Sequence, residues 1–413
     1  MLEYCRRQFP ALRREINGRP IVYFDGPAGT QVPKRVIDAV SHYYAHNNAN
    51  HGGLFPTARE SDDMLTEAHR AMADLLGAED PDTVYFGPNM TTLTFALSRA
   101  LSRTWQAGDE VVVTRLDHDA NVTPWVLAAR DAGATVRYAE FHREDCTLDL
   151  DDLRSKITDR TRLVAIGCAS NSVGSINPVT DICRWAREAG ALSFLDAVHF
   201  APHSLVDVTA FECDFLACSA YKFFGPHLGM MWGRRDLLEE LSAYKLRPAP
   251  DSLPGRWMTG TQNHEGIAGV LAAVEYLADI GRRHAAGGNL DRRAALGEAY
   301  TVIGEYERQS IARLISGLAD LDDVRIWGIT DPDRFSQRLP TISITHAKKR
   351  PAELAQYLGE CGICVWHGNY YALQLTETLG LEPDGMVRIG LVHYNTAEEV
   401  DRLLEALADL SKA

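Results

Sequence analysis

The sequence predicts an α/β fold, a largely parallel sheet covered by helices on both faces and followed by a second, smaller α/β unit. Three observations carry this prediction. Between about residues 62 and 235, helix-period segments alternate with short apolar runs, as strands do when helical crossovers lay them parallel. Two of those runs are followed at once by reactive side chains, Asp196 and Lys222, and ligands of such sheets bind beyond the carboxyl ends of strands. From about residue 262 a further series of helical and apolar segments begins, and it ends in a helix over 397–410.

Taken in order, residues 21–24 form a short apolar run, and Asp25-Gly26-Pro27-Ala28-Gly29 then reads as a turn. Helical spacing covers 32–44. The polar, glycine-containing stretch 47–53 interrupts it, either lining a site or serving as a solvated linker. Strands are predicted over 110–114, 135–138, 162–166 and 192–196, with helices over 125–131 and 179–188. A further apolar run, Phe215-Leu216-Ala217, precedes Lys222. In 262–283, Ile267, Val270, Leu271, Val274 and Leu277 recur at helical spacing, and another helix covers 291–318. Strands over 339–344 and 387–391 belong to the second unit. There is no internal repeat, no GxGxxG and no P-loop.

The bulk composition excludes several classes. A net charge of −14 over 413 residues argues against nonspecific binding to nucleic acid or anionic membranes. No apolar run approaches the roughly 20 residues that a bilayer-spanning helix needs. The first residues, Met1-Leu2-Glu3-Tyr4-Cys5-Arg6-Arg7, lack the apolar core of a signal peptide, and eight cysteines in so long a chain make no disulfide framework. The cytoplasm is the expected compartment. Cys361-Gly362-Ile363-Cys364 has no second pair at zinc-site spacing and falls where a helix gives way to a strand. His42 and His46 have the spacing of a helical metal pair but lack the glutamate of HExxH, so a plain amphipathic helix is expected there.

The chemistry concentrates around Lys222. Cys218-Ser219-Ala220-Tyr221-Lys222-Phe223-Phe224 sets one lysine among small, aromatic and apolar residues, where its charged form is disfavoured and its amine is available for Schiff-base chemistry. Asp196 ends another apolar strand, and a carboxylate there can hold a pyridine nitrogen protonated. Lysine plus acid is the arrangement that pyridoxal phosphate (PLP) requires. Either motif alone is equally compatible with a strand-end salt bridge; the two together, in this order, favour PLP. Phe86-Gly87-Pro88-Asn89-Met90-Thr91-Thr92 opens a helix whose free N–H groups suit a phosphate, although capping alone would also explain its threonines. In Asp117-His118-Asp119-Ala120-Asn121, His118 follows a strand and either stacks on an aromatic ring, acts as an acid or base, or is structural. Ser170-Asn171 and Thr259-Gly260-Thr261-Gln262-Asn263 are further polar clusters.

With these residues in place, the chain resembles the class V aminotransferases, fold-type-I PLP enzymes that include the group II cysteine desulfurases. The resemblance runs from Tyr23-Phe24-Asp25 to His393-Tyr394-Asn395-Thr396. It is most similar to the subgroup labelled "cysteine desulfurase-like", through Asp117 to Asn121, Tyr221-Lys222-Phe223-Phe224-Gly225-Pro226-His227 and Gly368-Asn369-Tyr370-Tyr371-Ala372. It also resembles PLP enzymes that process S-conjugated cysteine in lincosamide antibiotic pathways. The resemblance implies a large PLP-binding domain with a mainly parallel seven-stranded sheet over 31–285, a small C-terminal α/β domain over 286–413, and an N-terminal arm over 1–30 associated with the small domain. It makes Lys222 the Schiff-base lysine, Asp196 the pyridine partner and His118 the stacking residue. Asn171 and His199 fall near the ring hydroxyl. Met90 (through its backbone), Thr91, Ser219 and Tyr221 fall at phosphate-binding positions, where desulfurases have a histidine in place of Tyr221. Thr261 matches a residue that reaches the phosphate from the other subunit, which implies a homodimer with shared sites. Arg388 matches the arginine that grips the substrate α-carboxylate, and Ala28 and Tyr371 fall beside the substrate.

One departure shapes the expected function. Where a desulfurase carries a nucleophilic cysteine this chain has Tyr371, and Trp366 replaces an arginine typical of that loop. A phenol cannot form a persulfide. The expectation is therefore a dimeric PLP enzyme acting on an L-amino acid and cleaving the C–S bond of cysteine or a cysteine S-conjugate by β-elimination, to thiol, pyruvate and ammonia, without enzyme-bound persulfide. Decarboxylation coupled to oxidative deamination, transamination and epimerisation start from the same adduct and stay open. A non-catalytic regulator of this fold would add a DNA-binding domain, for which the chain has neither room nor a basic patch.

Overall fold

The computed structural model describes residues 1–412 apart from 17, 286, 288 and 289. The boundary expected between 285 and 286 thus falls at a residue outside those described.

Apolar β-branched runs build a seven-stranded sheet. Across it lie Val84–Gly87, Gly229–Gly233, Phe215–Ser219, Leu192–Asp196, Thr161–Gly167, Glu110–Thr114 and Thr135–Ala139. Gly229–Gly233 is antiparallel to both neighbours; the other pairings are parallel. The five inner strands are buried almost throughout, as expected where helices cover both faces. Two apolar clusters, one on each face, separate the sheet from its helices. Phe194 packs against Trp125 with ring centroids 4.9 Å apart on one side, and Leu195 joins the cluster on the other. All the parallel strands end at one edge, which brings 117–121, 167–171, 196–199 and 219–222 together although they are up to a hundred residues apart in sequence.

The second unit centres on an antiparallel sheet ordered Val324–Trp327, Thr341–His346, Met386–Gly390 and Trp366–Gly368. Its own core holds Ile342, Ile344, Leu358, Ile389 and Leu403. The apolar run at 21–24 pairs here: Val22–Tyr23 lies parallel to Ile363–Cys364. Asp25 then bridges to Gly390, where an added Cβ would stand only 2.0 Å from Pro27 Cδ. Only glycine lets the chain pass there, and that passage carries Pro27 and Ala28 to the end of the large sheet.

The helix expected over 32–44 stops as an α-helix at His42 and widens into a π turn over Tyr43–Asn47, and the His42 and His46 rings stack at 4.4 Å. Among the described residues no group of His, Cys, Asp and Glu could hold a metal ion, and no helix is long and apolar enough to cross a membrane. Cys361 caps the helix Pro351–Glu360, and Cys364 lies in the short strand beside Tyr23.

Candidate active site

The strand ends and the small sheet enclose a cavity of about 530 Å³. Met90, Thr91, His118, Asn171, Asp196, His199, Ser219, Tyr221, Lys222, Ala28, Tyr371 and Arg388 all line it, so the structure brings together twelve of the thirteen residues singled out in the sequence. Thr261 is the exception. It lies in a separate recess with Gly260, Gln262 and His264.

Lys222 follows the strand Phe215–Ser219 on a single 3-10 turn. Burial, and next the guanidinium of Arg388, push its ammonium down to about 7, so the amine loses its charge near neutral pH. The amine donates a hydrogen bond to the carbonyl of Pro27. Asp196 accepts from the Val198 N–H at 2.9 Å, and burial pushes its carboxyl up to about 6 against that bond and against Lys222. Nδ1 of His118 accepts from the Ala120 N–H at 3.0 Å, which leaves the proton on Nε2 in the neutral ring. Burial, followed by the nearby cations, lowers its pKa to about 4, so a flat, uncharged imidazole faces the cavity at neutral pH.

The helix Met90–Leu101 begins at the cavity with its N-terminus beside Ser219. Met90 N–H donates to Ser219 Oγ at 3.2 Å. The Asn89 side chain, not a threonine, caps the helix by accepting from Thr92 N–H at 2.8 Å. Thr91 is thereby left to line the cavity. This close approach depends on Gly229, where a Cβ would stand 2.3 Å from Asn89 C and 2.5 Å from Met90 N.

Arg388 sits on the central strand of the small sheet, buried, with its guanidinium 4.4 Å from the centre of the Tyr370 ring. Its Nη1 donates to the Asn171 carbonyl at 2.8 Å, and Asn171 Nδ2 donates to the Tyr370 carbonyl at 3.0 Å. Tyr370 and Tyr371 both take left-handed backbone conformations (φ 54° and 60°), a strained state for two successive aromatic residues. Asp119 N–H holds the Tyr371 carbonyl at 2.7 Å, and the exposed phenol ring stacks on His118 at 5.6 Å. Trp366 pairs across the strands with Arg388 and lines the same mouth.

These residues fit PLP. A helix N-terminus with two hydroxyls suits a phosphate, a buried carboxylate suits a pyridine nitrogen, and a lysine amine poised near neutrality suits an aldehyde. Buried Asn171 Oδ1 and His199 Nε2 have no hydrogen-bond partner among the described residues, leaving polar atoms for a ring hydroxyl. The cavity also has the volume of a cofactor-sized site.

Sequence reasoning missed several groups. Asp117 lines the cavity behind His118, accepting from Gly167 N–H at 2.9 Å and Asn121 Nδ2 at 3.2 Å. Burial, with a smaller push from Asp196, raises its carboxyl to about 7. Its place directly after a strand was the available signal. Pro27 contributes a carbonyl oxygen, for which no sequence signal exists.

The fold and this constellation define a PLP-dependent enzyme of the fold-type-I class. The sequence pattern of the family described as aminotransferase class-V matches residues 22–403, and the chain belongs to that family. A cysteine desulfurase from Salmonella choleraesuis (strain SC-B67) is 30% identical over 426 aligned residues, spanning 100% of this chain and 98% of that protein. The apo cysteine desulfurase from Thermococcus onnurineus NA1 superposes with a TM-score of 0.88 at 25% identity, covering 99% of this chain and 98% of that one. The cysteine desulfurase CsdA from Escherichia coli, in an S-sulfonic acid form, gives a TM-score of 0.84 at 26% identity and covers 100% and 98%.

These relatives correct the expected function. The reading that set this chain apart from the persulfide-forming desulfurases, in favour of β-elimination, rested on the loop that carries Trp366 and Tyr371, whereas the proteins it matches from end to end are named cysteine desulfurases. A phenol at 371 removes a thiol from one position of one loop. It leaves the cavity and its lysine intact, and it does not decide where an accepting thiol comes from.

Proposed function

We propose that the chain is a PLP-dependent enzyme that removes sulfur from L-cysteine, the activity for which its relatives are named. Lys222 carries this reading, as a buried amine losing its charge near neutral pH in one cavity with Asp196, His118 and Arg388. Bound there, PLP supplies an aldehyde and an electron-accepting ring. Lys222 would hold that aldehyde through its amine and would hold or move the proton at the substrate Cα. Asp196, fixed by the Val198 N–H, sets its carboxylate against the pyridine nitrogen. His118, neutral and lining the cavity, would stack on the ring. Arg388 receives the α-carboxylate, its guanidinium steadied by the Tyr370 ring and the Asn171 carbonyl. Ser219, Thr91 and the Met90 N-terminus take the phosphate, with Tyr221 beside them.

The overall conversion balances as cysteine plus an acceptor thiol giving alanine plus the acceptor persulfide. The C–S bond breaks, Cβ gains a proton, and an S–S bond forms on the acceptor. The mouth beside Tyr371 is where such a thiol enters. PLP-loaded protein given L-cysteine and excess dithiothreitol should release alanine and sulfide in equal amounts, and Lys222→Ala should release neither. Pyruvate in place of alanine, or no product from the wild-type chain, overturns the reading.

The proposal extends to the assembly. Thr261 serves the phosphate of a second copy, so the active unit is a homodimer with shared sites. On the same reading the chain divides into an arm over 1–30, a PLP-binding domain over 31–285 and a small domain over 286–413. The cysteines are free thiols, six of them buried. A reducing compartment such as the cytoplasm maintains that state.

A further inference from the structure

We infer that Thr30, which lies outside the cavity, is a positioning residue for the Lys222 amine; this rests on the reading of Lys222 as the lysine that joins PLP. Three hydrogen bonds bracket the lysine. Thr30 N–H donates to the Tyr221 carbonyl at 3.0 Å, and Thr30 Oγ1 donates to the same carbonyl at 3.2 Å. The Phe224 N–H in turn donates to Thr30 Oγ1 at 2.9 Å. One hydroxyl thus ties the residue before Lys222 to the second residue after it. Three positions earlier in the same segment, the Pro27 carbonyl accepts from the Lys222 amine. The lysine is therefore held at its backbone and at its tip by one stretch of chain.

The turn needs such a hold. Phe224 has φ 71°, a left-handed conformation that a bulky residue keeps only where its surroundings enforce it. Its ring is fixed in an aromatic cluster with Phe9, Tyr276 and His393. Its backbone N–H has the Thr30 hydroxyl as acceptor, so the side chain and the backbone of Phe224 are held by separate groups. The clamp is itself anchored. Ala28 N–H donates to the Asp25 carbonyl at 2.7 Å, and Asp25 bridges to Gly390 on the strand that carries Arg388. Thr30 thereby ties the placement of Lys222 to that of the expected substrate-binding arginine.

The test compares Thr30→Val, which keeps the shape and cannot accept a hydrogen bond, with Thr30→Ser, which keeps the hydroxyl. Apo protein is mixed with PLP, the dissociation constant is measured, and Schiff-base formation is followed by absorbance, with borohydride trapping and peptide mapping of the product. Thr30→Val should bind PLP within about twofold of wild type but form the Schiff base about tenfold more slowly, the scale of one lost hydrogen bond. In turnover it should lower kcat with KM little changed, and Thr30→Ser should recover to within about threefold of wild type. If Thr30→Val does not fold, Thr30→Ala removes the same hydroxyl with less crowding and is read in the same way. A wild-type rate of Schiff-base formation in the folded variant overturns the inference, as does a loss of PLP affinity that serine fails to restore. A wild-type adduct that maps to a lysine other than Lys222 instead overturns the reading on which it rests.

Discussion

At the scale of single residues, the cavity is an electrostatic compromise. Lys222, Asp196, Asp117 and His118 are all pushed toward their neutral forms, and for each the first cause is removal from water. For Lys222 the consequence is measurable without any cofactor. Its amine titrates near 7 in the folded chain and at the ordinary 10.5 once unfolded. Between those values the unfolded chain binds the extra proton, so the stability of the apo protein rises with pH. Below about 7 both states are protonated and the cost of the buried ammonium is fully present. Relative to Lys222→Met, which has no such charge, wild-type apo protein should gain about 3 kcal/mol between about pH 7 and about pH 9.5. Denaturant melts of the two proteins at both pH values measure this. A pH-independent difference would mean that the folded amine titrates like a solvated one.

At the scale of elements, the site depends on two approaches that only glycine permits. Gly390 admits Pro27, and Gly229 admits the start of the helix Met90–Leu101. In Gly229→Ala the new methyl must displace that helix start, because backbone atoms and not a flexible side chain occupy its space. Overpacking of this kind costs roughly 1–3 kcal/mol. The displaced N–H groups are those proposed to hold the phosphate, so PLP affinity should fall by about tenfold or more while Lys222 still forms the adduct. Equilibrium PLP titration with borohydride trapping separates the two effects. Unchanged affinity would place the phosphate elsewhere. The loop over 366–371 is the other element that shapes the site. Its two left-handed tyrosines are tied by Asn171 and by the Asp119 N–H to the ends of large-sheet strands, so it bridges the two sheets across the mouth.

At the scale of the molecule, Thr261 sits apart from the cavity, beside a recess of about 750 Å³ that Leu246 also lines. Leu246 is 68% exposed, and Leu54, at 88%, is the most exposed of the large apolar residues among those described. If Thr261 serves the phosphate of a second copy, as proposed, that copy covers this recess and Leu246 with it. The PLP-loaded protein should therefore sediment at about twice the 45.7 kDa of one chain and lose PLP on dilution to monomer. A monomer that holds PLP and turns over at full rate would show that each site is complete in one chain.

By itself the sequence determined the parallel sheet and the cofactor, and it marked residues that the fold gathers into one cavity. Asp196 and Lys222 each stand a few residues from an apolar run, and a parallel sheet gathers its strand ends, so local text implied a shared pocket. Family resemblance added Arg388 and chose among the roles open to His118 and to the helix start at Met90, and all three line the cavity. Tertiary structure decided what local text cannot encode. The Pro27 carbonyl has no side-chain signature. Thr30 reads as part of a loop, and its partners Tyr221 and Phe224 lie about 190 residues away. Whether a pair of tyrosines packs inward or lines a mouth depends on backbone angles set by contacts with the large sheet. The same limit explains the corrected function. Residue 371 was legible as lacking a thiol, but the acceptor of a sulfur atom is fixed by what can reach the mouth in space, and one position in the chain does not specify that.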